Sequence, residues 1–117
     1  MLRNVKISFH NMDHSDPMES YTRQKLEKVA DLLKNENNVT PLFAEFWLKS
    51  NKQHPHHEAE FHLKTPRFDL NSHENGPDMY LVIDGTIEKM VAQLKKEKEL
   101  YRDRIRKAGT DKKNFNS

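Results

Sequence analysis

The sequence has no cysteine, and only three glycines and one tryptophan in its 117 residues. Without cysteine there is no disulfide framework and no thiolate for catalysis or soft-metal binding. That composition suits a reducing, cytoplasmic setting. So few glycines leave no glycine-rich loop to cradle a nucleotide phosphate. No apolar run approaches the ~20 residues of a membrane span, so no membrane contact is expected. Met1-Leu2-Arg3-Asn4-Val5-Lys6-Ile7 is charged and strand-like, unlike the apolar core of a secretory signal. Neither sign of charge dominates: 20 Lys and Arg oppose 18 Asp and Glu, a formal +2. A charge that small does not by itself imply a polyanionic partner.

The distribution of charge is more informative. From Lys89 to Lys113 the cations are Lys89, Lys95, Lys96, Lys98, Arg102, Arg104, Arg106, Lys107, Lys112 and Lys113, against Glu97, Glu99, Asp103 and Asp111. The C-terminal quarter is therefore basic and the rest mildly acidic, an asymmetry that points to a polyanion.

The chain is short enough for one core, and its apolar residues fall in periodic blocks. Val5, Ile7 and Phe9 alternate with Lys6 and Ser8, giving a half-buried strand over residues 3–9, and His10 to Asp16 reads as a loop. A helix follows, with Ser15 or Asp16 as cap, Pro17 in the first turn and Glu19 placed as in a capping box. Met18, Leu26, Val29 and Leu33 make its apolar stripe, Tyr21, Lys25 and Lys28 its opposite face, and Asn35 to Asn38 its stop. Strands are expected over 42–49, 57–64 and 67–73, the last with Phe68 and Leu70 inward. The turns are Asn51 to Pro55 and Thr65-Pro66. Glu74-Asn75-Gly76-Pro77 breaks the pattern, and Asp78 caps a final helix whose stripe is Tyr80, Ile83, Ile87, Met90 and Leu94. Tyr101 and Ile105 resume that stripe. The helix should stop near Lys107, leaving 1–107 as one α/β domain and 108–117 as a flexible tail. The expected fold class is α+β, in the order β-α-β-β-β-α. An antiparallel meander carries both helices on its apolar face and leaves the other face open.

Four constellations could carry chemistry. Lys89 and Lys96 align seven residues apart on the last helix, and Lys25 and Lys28 sit one turn apart on the first. With both helices on one sheet face, the four border one groove suited to phosphates, or else they form an ordinary solvated surface. Phe43 and Trp47 share the open sheet face with Glu45, Glu58, Glu60 and Asp69. The acids argue for cross-strand packing or a protein contact before base stacking. His54, His56, His57, His62 and His73 match no zinc spacing, so no metal is expected. No nucleophile–base pair stands out, and an enzyme, a cofactor or a small-molecule substrate is not expected.

Asp78-Met79-Tyr80, Ile83-Asp84, Lys89 and Gln93-Leu94 together resemble the D-M-Y-x-x-I-D-x-x-x-x-K-x-x-x-Q-L signature of the ribosome hibernation-promoting factor and ribosome-associated inhibitor A family. Tyr21 and Lys25-Leu26-Glu27-Lys28 resemble that family's first helix, and the likeness spans roughly residues 3–107. It implies a double-stranded-RNA-binding-domain-like fold that occupies the small ribosomal subunit near the decoding centre, blocks translation and preserves idle ribosomes under stress. It further implies rRNA phosphate contacts through Lys25, Lys28, Lys89 and Lys96, a monomer off the ribosome, and no extra domain for pairing ribosomes. Ala92 stands where many relatives carry a basic residue, and Asn75-Gly76-Pro77 reads as an insertion. Two rival functions are a regulatory module that docks a protein on Phe43 and Trp47, the family having once been described as modulating a sigma factor, and a generic binder of structured RNA.

Overall fold

The computed structural model describes residues 5–34, 43–50, 56–66 and 68–115, those after Arg104 by backbone alone. The expected stop at Asn35 to Asn38, the turn at Asn51 to Pro55 with His54, and the strand-start residue Leu42 lie outside the described residues.

The elements are β1 (Lys6–His10), α1 (Asp16–Lys34), β2 (Phe43–Ser50), β3 (His57–Lys64), β4 (Asp69–Gly76) and α2 (Met79–Phe115). The order is the expected β-α-β-β-β-α, an α+β fold, and the sheet runs β1-β2-β3-β4. β2, β3 and β4 form the antiparallel meander, with Phe46 opposite Phe61 and Phe61 opposite Ser72. β1 joins β2 in parallel, so the sheet is mixed. A β-α-β passage requires this: α1 carries the chain back, and β2 then starts at the same end as β1.

Alternation decides which face is dry. Ala44, Phe46 and Leu48 of β2 and Ala59, Phe61 and Leu63 of β3 are buried, while Phe43, Glu45, Trp47 and Lys49 look the other way. Leu26, Val29, Ala30 and Leu33 of α1 close over the dry face with Met79, Val82, Ile83, Ile87, Met90 and Leu94 of α2. Two threonines lie wholly inside, and each is satisfied by its own helix: Thr22 Oγ1 donates to Met18 O at 2.8 Å, and Thr86 Oγ1 to Val82 O at 2.8 Å. Ser72 of β4 donates to Thr86 O at 2.8 Å and ties that strand to α2.

The structure corrects several sequence expectations. Tyr80 is 37% exposed, and Met79 and Val82 take the inward positions. Three- and four-residue spacings allow two overlapping stripes. α2 packs against both the sheet and α1, so its apolar face is wide, and Tyr80 sits at its rim. Tyr21, placed on the solvent face, is half-buried beside the core. Ser15 is the cap of α1, accepting from Met18 N–H at 3.3 Å, so Asp16 and Glu19 form no capping box. β4 continues through Asn75 and Gly76, which pair with Glu58 and His57, so the apparent insertion lengthens a ladder. Phe68 is buried just before β4, in a turn that Thr65 closes by donating N–H to Phe68 O and accepting from Phe68 N–H. The helix passes Lys107 and Gly109 and runs to Phe115. Beyond Leu94, no described side chain of α2 is buried.

Phe46 has no exposed surface and packs against Phe61 at 5.4 Å between ring centres, the rings tilted by 36°. Phe46→Ala is expected to destabilise the domain by about 3–5 kcal/mol, read as a lower urea midpoint at unchanged slope.

Candidate nucleic-acid interface

The two helices lie parallel. Tyr21 meets Tyr80 and Asp84, Lys25 meets Asp84, Lys28 meets Glu88, and Lys98 reaches the carbonyl of Leu32, so sequence rises together on both sides of the seam. The seam is polar along its solvent edge. Tyr21 donates its hydroxyl to Asp84 Oδ1 at 2.7 Å, and its ring packs edge-on against Tyr80, 4.9 Å between centres. The Lys25 ammonium stands 3.8 Å from Asp84 Oδ1 and 5.4 Å above the Tyr21 ring. Lys28 Nζ donates to Glu88 Oε1 at 2.8 Å. That bond holds the Lys28 ammonium above its ordinary pKa and the Glu88 carboxyl below its own.

Lys89 points to the other flank of α2. Its ammonium donates to the carbonyl of His73 at 3.0 Å and pairs with Glu74 Oε2 at 3.2 Å. One turn on, Gln93 Nε2 donates to the Asn71 carbonyl at 2.9 Å. β4 is an edge strand, and these two side chains occupy carbonyls that a second strand would otherwise take. Glu74 is held below its ordinary pKa by the Asn75 N–H first, then by Lys89. Gly85 leaves room for this arrangement, since a Cβ there would come within 2.9 Å of the Glu74 Cγ. Lys96 lies two turns beyond Lys89 on the same flank and is exposed.

The four lysines therefore do not border one groove. Lys25 and Lys28 meet across the seam, Lys89 and Lys96 lie on the β4 flank, and the outward crest of α2, with Leu81 and Ala92, runs between them. Three of the four are matched to carboxylates: Asp84, Glu88 and Glu74. Lys96 makes no ion pair with another described residue, and nor do Lys95, Arg102 or Arg104. Single-residue reading missed Asp84, Glu88 and Glu74, each an ordinary surface acid taken singly. The available signals were the place of Asp84 in the signature above and the four-residue spacing of Asp84 and Glu88 on one side of α2.

On the open sheet face Phe43 is 42% exposed and packs against His62, 5.2 Å between ring centres. Trp47 is half-buried between Ser8 and Glu60. Around them Ser8 donates to Glu45, Asn71 to Glu60, and His62 lies 2.6 Å from Asp69. This face is laced by cross-strand pairs of both signs. Among the described residues no three His, Asp or Glu side chains are grouped to hold a metal, and no helix is long and apolar enough to cross a membrane.

The model of the Sigma 54 modulation protein / S30EA ribosomal protein family matches residues 5–102. The chain belongs to this family. The S30EA match takes in all four strands, α1 and α2 as far as Arg102. Among solved structures, the chain is similar to the Protein Y N-terminal domain of Thermus thermophilus, at 22% identity and TM-score 0.64 over 78% of this chain and 93% of that one. It is also similar to a ribosomal subunit interface protein from Coxiella burnetii, at 19% identity and TM-score 0.63 over 81% and 97%. These likenesses show that the S30EA fold is shared. No curated protein sequence matches. The S30EA description names modulation and ribosomal proteins, not enzymes.

The phenol of Tyr21 gives a direct check on the seam. Its bond to Asp84, then burial and the nearby acids, push its pKa from 10.0 to about 12. A raised pKa means that this contribution to stability is complete below about pH 10 and is lost as pH climbs through about 12. NMR titration of the Tyr21 ring should show it titrating at about 12, and Asp84→Asn should bring it down towards 10.

Proposed function

We propose that the chain binds the small ribosomal subunit near the decoding centre and blocks translation, preserving idle ribosomes under stress, and that it acts in the cytoplasm. The observation that carries this reading is membership of a ribosomal-protein family over residues 5–102, in a chain whose α2 holds Lys96 and Arg102 without an ion pair to another described residue. The mechanism is steric occupation held by contacts to rRNA phosphates. Backbone contacts fix position without reading bases, so a helical surface of Lys and Arg is sufficient chemistry. Lys25, Lys28, Lys89 and Lys96 remain the proposed contacts, in unequal roles. Lys96 meets phosphate directly, Lys25 and Lys28 first exchange a carboxylate for it, and Lys89, held by Glu74 and the His73 carbonyl, contributes its charge from where it stands. Lys95 and Arg102, seven apart, extend the basic surface along the seam side of α2.

A protein contact on the open sheet is the second reading, favoured by the exposure of Phe43 beside Trp47. Its binding would be lost in Trp47→Ala and kept when the helix lysines are changed.

Co-sedimentation with purified small subunits across a salt series separates the two. Ribosome binding should weaken steeply with salt, and Lys96→Gln should weaken it further and flatten the log–log salt slope by about one. Absence of subunit binding at low salt would end the proposal, and equal affinity for a plain RNA duplex would make the protein a general RNA binder.

A further inference from the structure

The pairing of Lys28 with Glu88 is unusual in what it leaves undone. The lysine side chain is 54% exposed and the glutamate 60%. An ion pair so wet adds little to folding. Asp84 is partly sheltered and serves the Tyr21 hydroxyl, but it also stands beside Lys25. Asp84 and Glu88 lie one turn apart on α2, and Lys25 and Lys28 lie one turn apart on α1. The result is two rungs of opposite charge across the seam, and Lys95 on the same flank adds its own pull on Glu88. A phosphate approaching Lys28 finds the ammonium already occupied at 2.8 Å.

We propose that Glu88, with Asp84, sets the RNA selectivity of the helical seam by acting as a resident counter-charge that phosphate must displace. This rests on the reading of the seam lysines as phosphate contacts. An isolated, flexible RNA strand offers one phosphate at a time and gains little by exchanging one anion for another. A rigid, dense array of phosphates can first engage Lys96 and Arg102, which make no ion pair with another described residue. Displacement of Glu88 then becomes an intramolecular step at high effective concentration. The carboxylates thus weaken adventitious RNA binding more than they weaken binding to folded ribosomal RNA.

The test compares wild-type protein, Glu88→Gln, Lys28→Gln and the double variant, all first checked for an unchanged melting curve. Each is titrated with fluorescent oligouridine and with purified small subunits over a range of potassium chloride. Glu88→Gln should tighten oligouridine binding about two- to fivefold, the reach of an exposed ion pair. It should also steepen the salt slope by about one. Small-subunit affinity should change less, and the double variant should lose the gain. If Glu88→Gln leaves oligouridine affinity unchanged while Lys28→Gln weakens subunit binding, the counter-charge idea falls and the ribosome reading stands. An equal gain on both RNAs overturns the selectivity. If neither Lys28→Gln nor Lys96→Gln alters subunit binding, the underlying reading of the lysines falls as well.

Discussion

The hydrogen bond from Tyr21 to Asp84, at 2.7 Å across the helix seam, fixes the relation on which the whole polar surface depends. Both helices must cover one apolar sheet face, and apolar contact alone would let them slide along each other. A phenol bonded to a carboxylate is directional, and the Tyr21–Tyr80 edge contact beside it locks rotation as well. With this register set, Lys25 falls beside Asp84, Lys28 beside Glu88, and Lys98 at the last turn of α1. There Lys98 bonds the Leu32 carbonyl and places a cation where the helix dipole is negative.

The same register explains why a chain of nearly balanced charge can still present a basic surface. α1 and β4 each lend carboxylate or carbonyl partners, or demand them, only along the length they share with α2. α2 outruns both, and its burial ends at Leu94. Beyond that point Lys98 still reaches α1, while Lys95, Lys96, Arg102 and Arg104 make no ion pair with another described residue. The cations of α2 without a carboxylate among the described residues therefore gather past Leu94, in the stretch where the sequence is richest in Lys and Arg.

Much of this was legible in the sequence. Period-two alternation in β2 and β3 identifies both strands and their dry faces, because each is covered on one side only. Asp78 announces the start of α2, and its side chain accepts from Tyr80 N–H at 3.0 Å. The parallel placement of β1 follows from the crossover rule once α1 is recognised. The seam was not legible. Tyr21 and Tyr80 are amphipathic, and periodicity cannot say whether such rings face water or the crack between two helices. The lysines pair along each helix as expected, since positions three apart (Lys25 and Lys28) or seven apart (Lys89 and Lys96) share a side. The sides they take across α2 depend on where α1 docks, which no local pattern encodes.

The four lysines also differ in what it costs to release them. Lys96 gives up only water. On the proposed reading Lys28 would give up an exposed carboxylate, which a phosphate would replace in kind. Lys25 gives up a longer contact with Asp84, and that carboxylate keeps its bond to Tyr21. Lys89 is the least available, because it holds both Glu74 and the His73 carbonyl. Freeing it would uncover the β4 edge, whose unmet carbonyl then invites another strand. A lysine that guards a sheet edge is thus a poor mobile contact and a good fixed charge. On the proposed reading it would contribute potential to a phosphate over α2 without leaving its place, which makes charge rather than hydrogen bonding the contribution of Lys89.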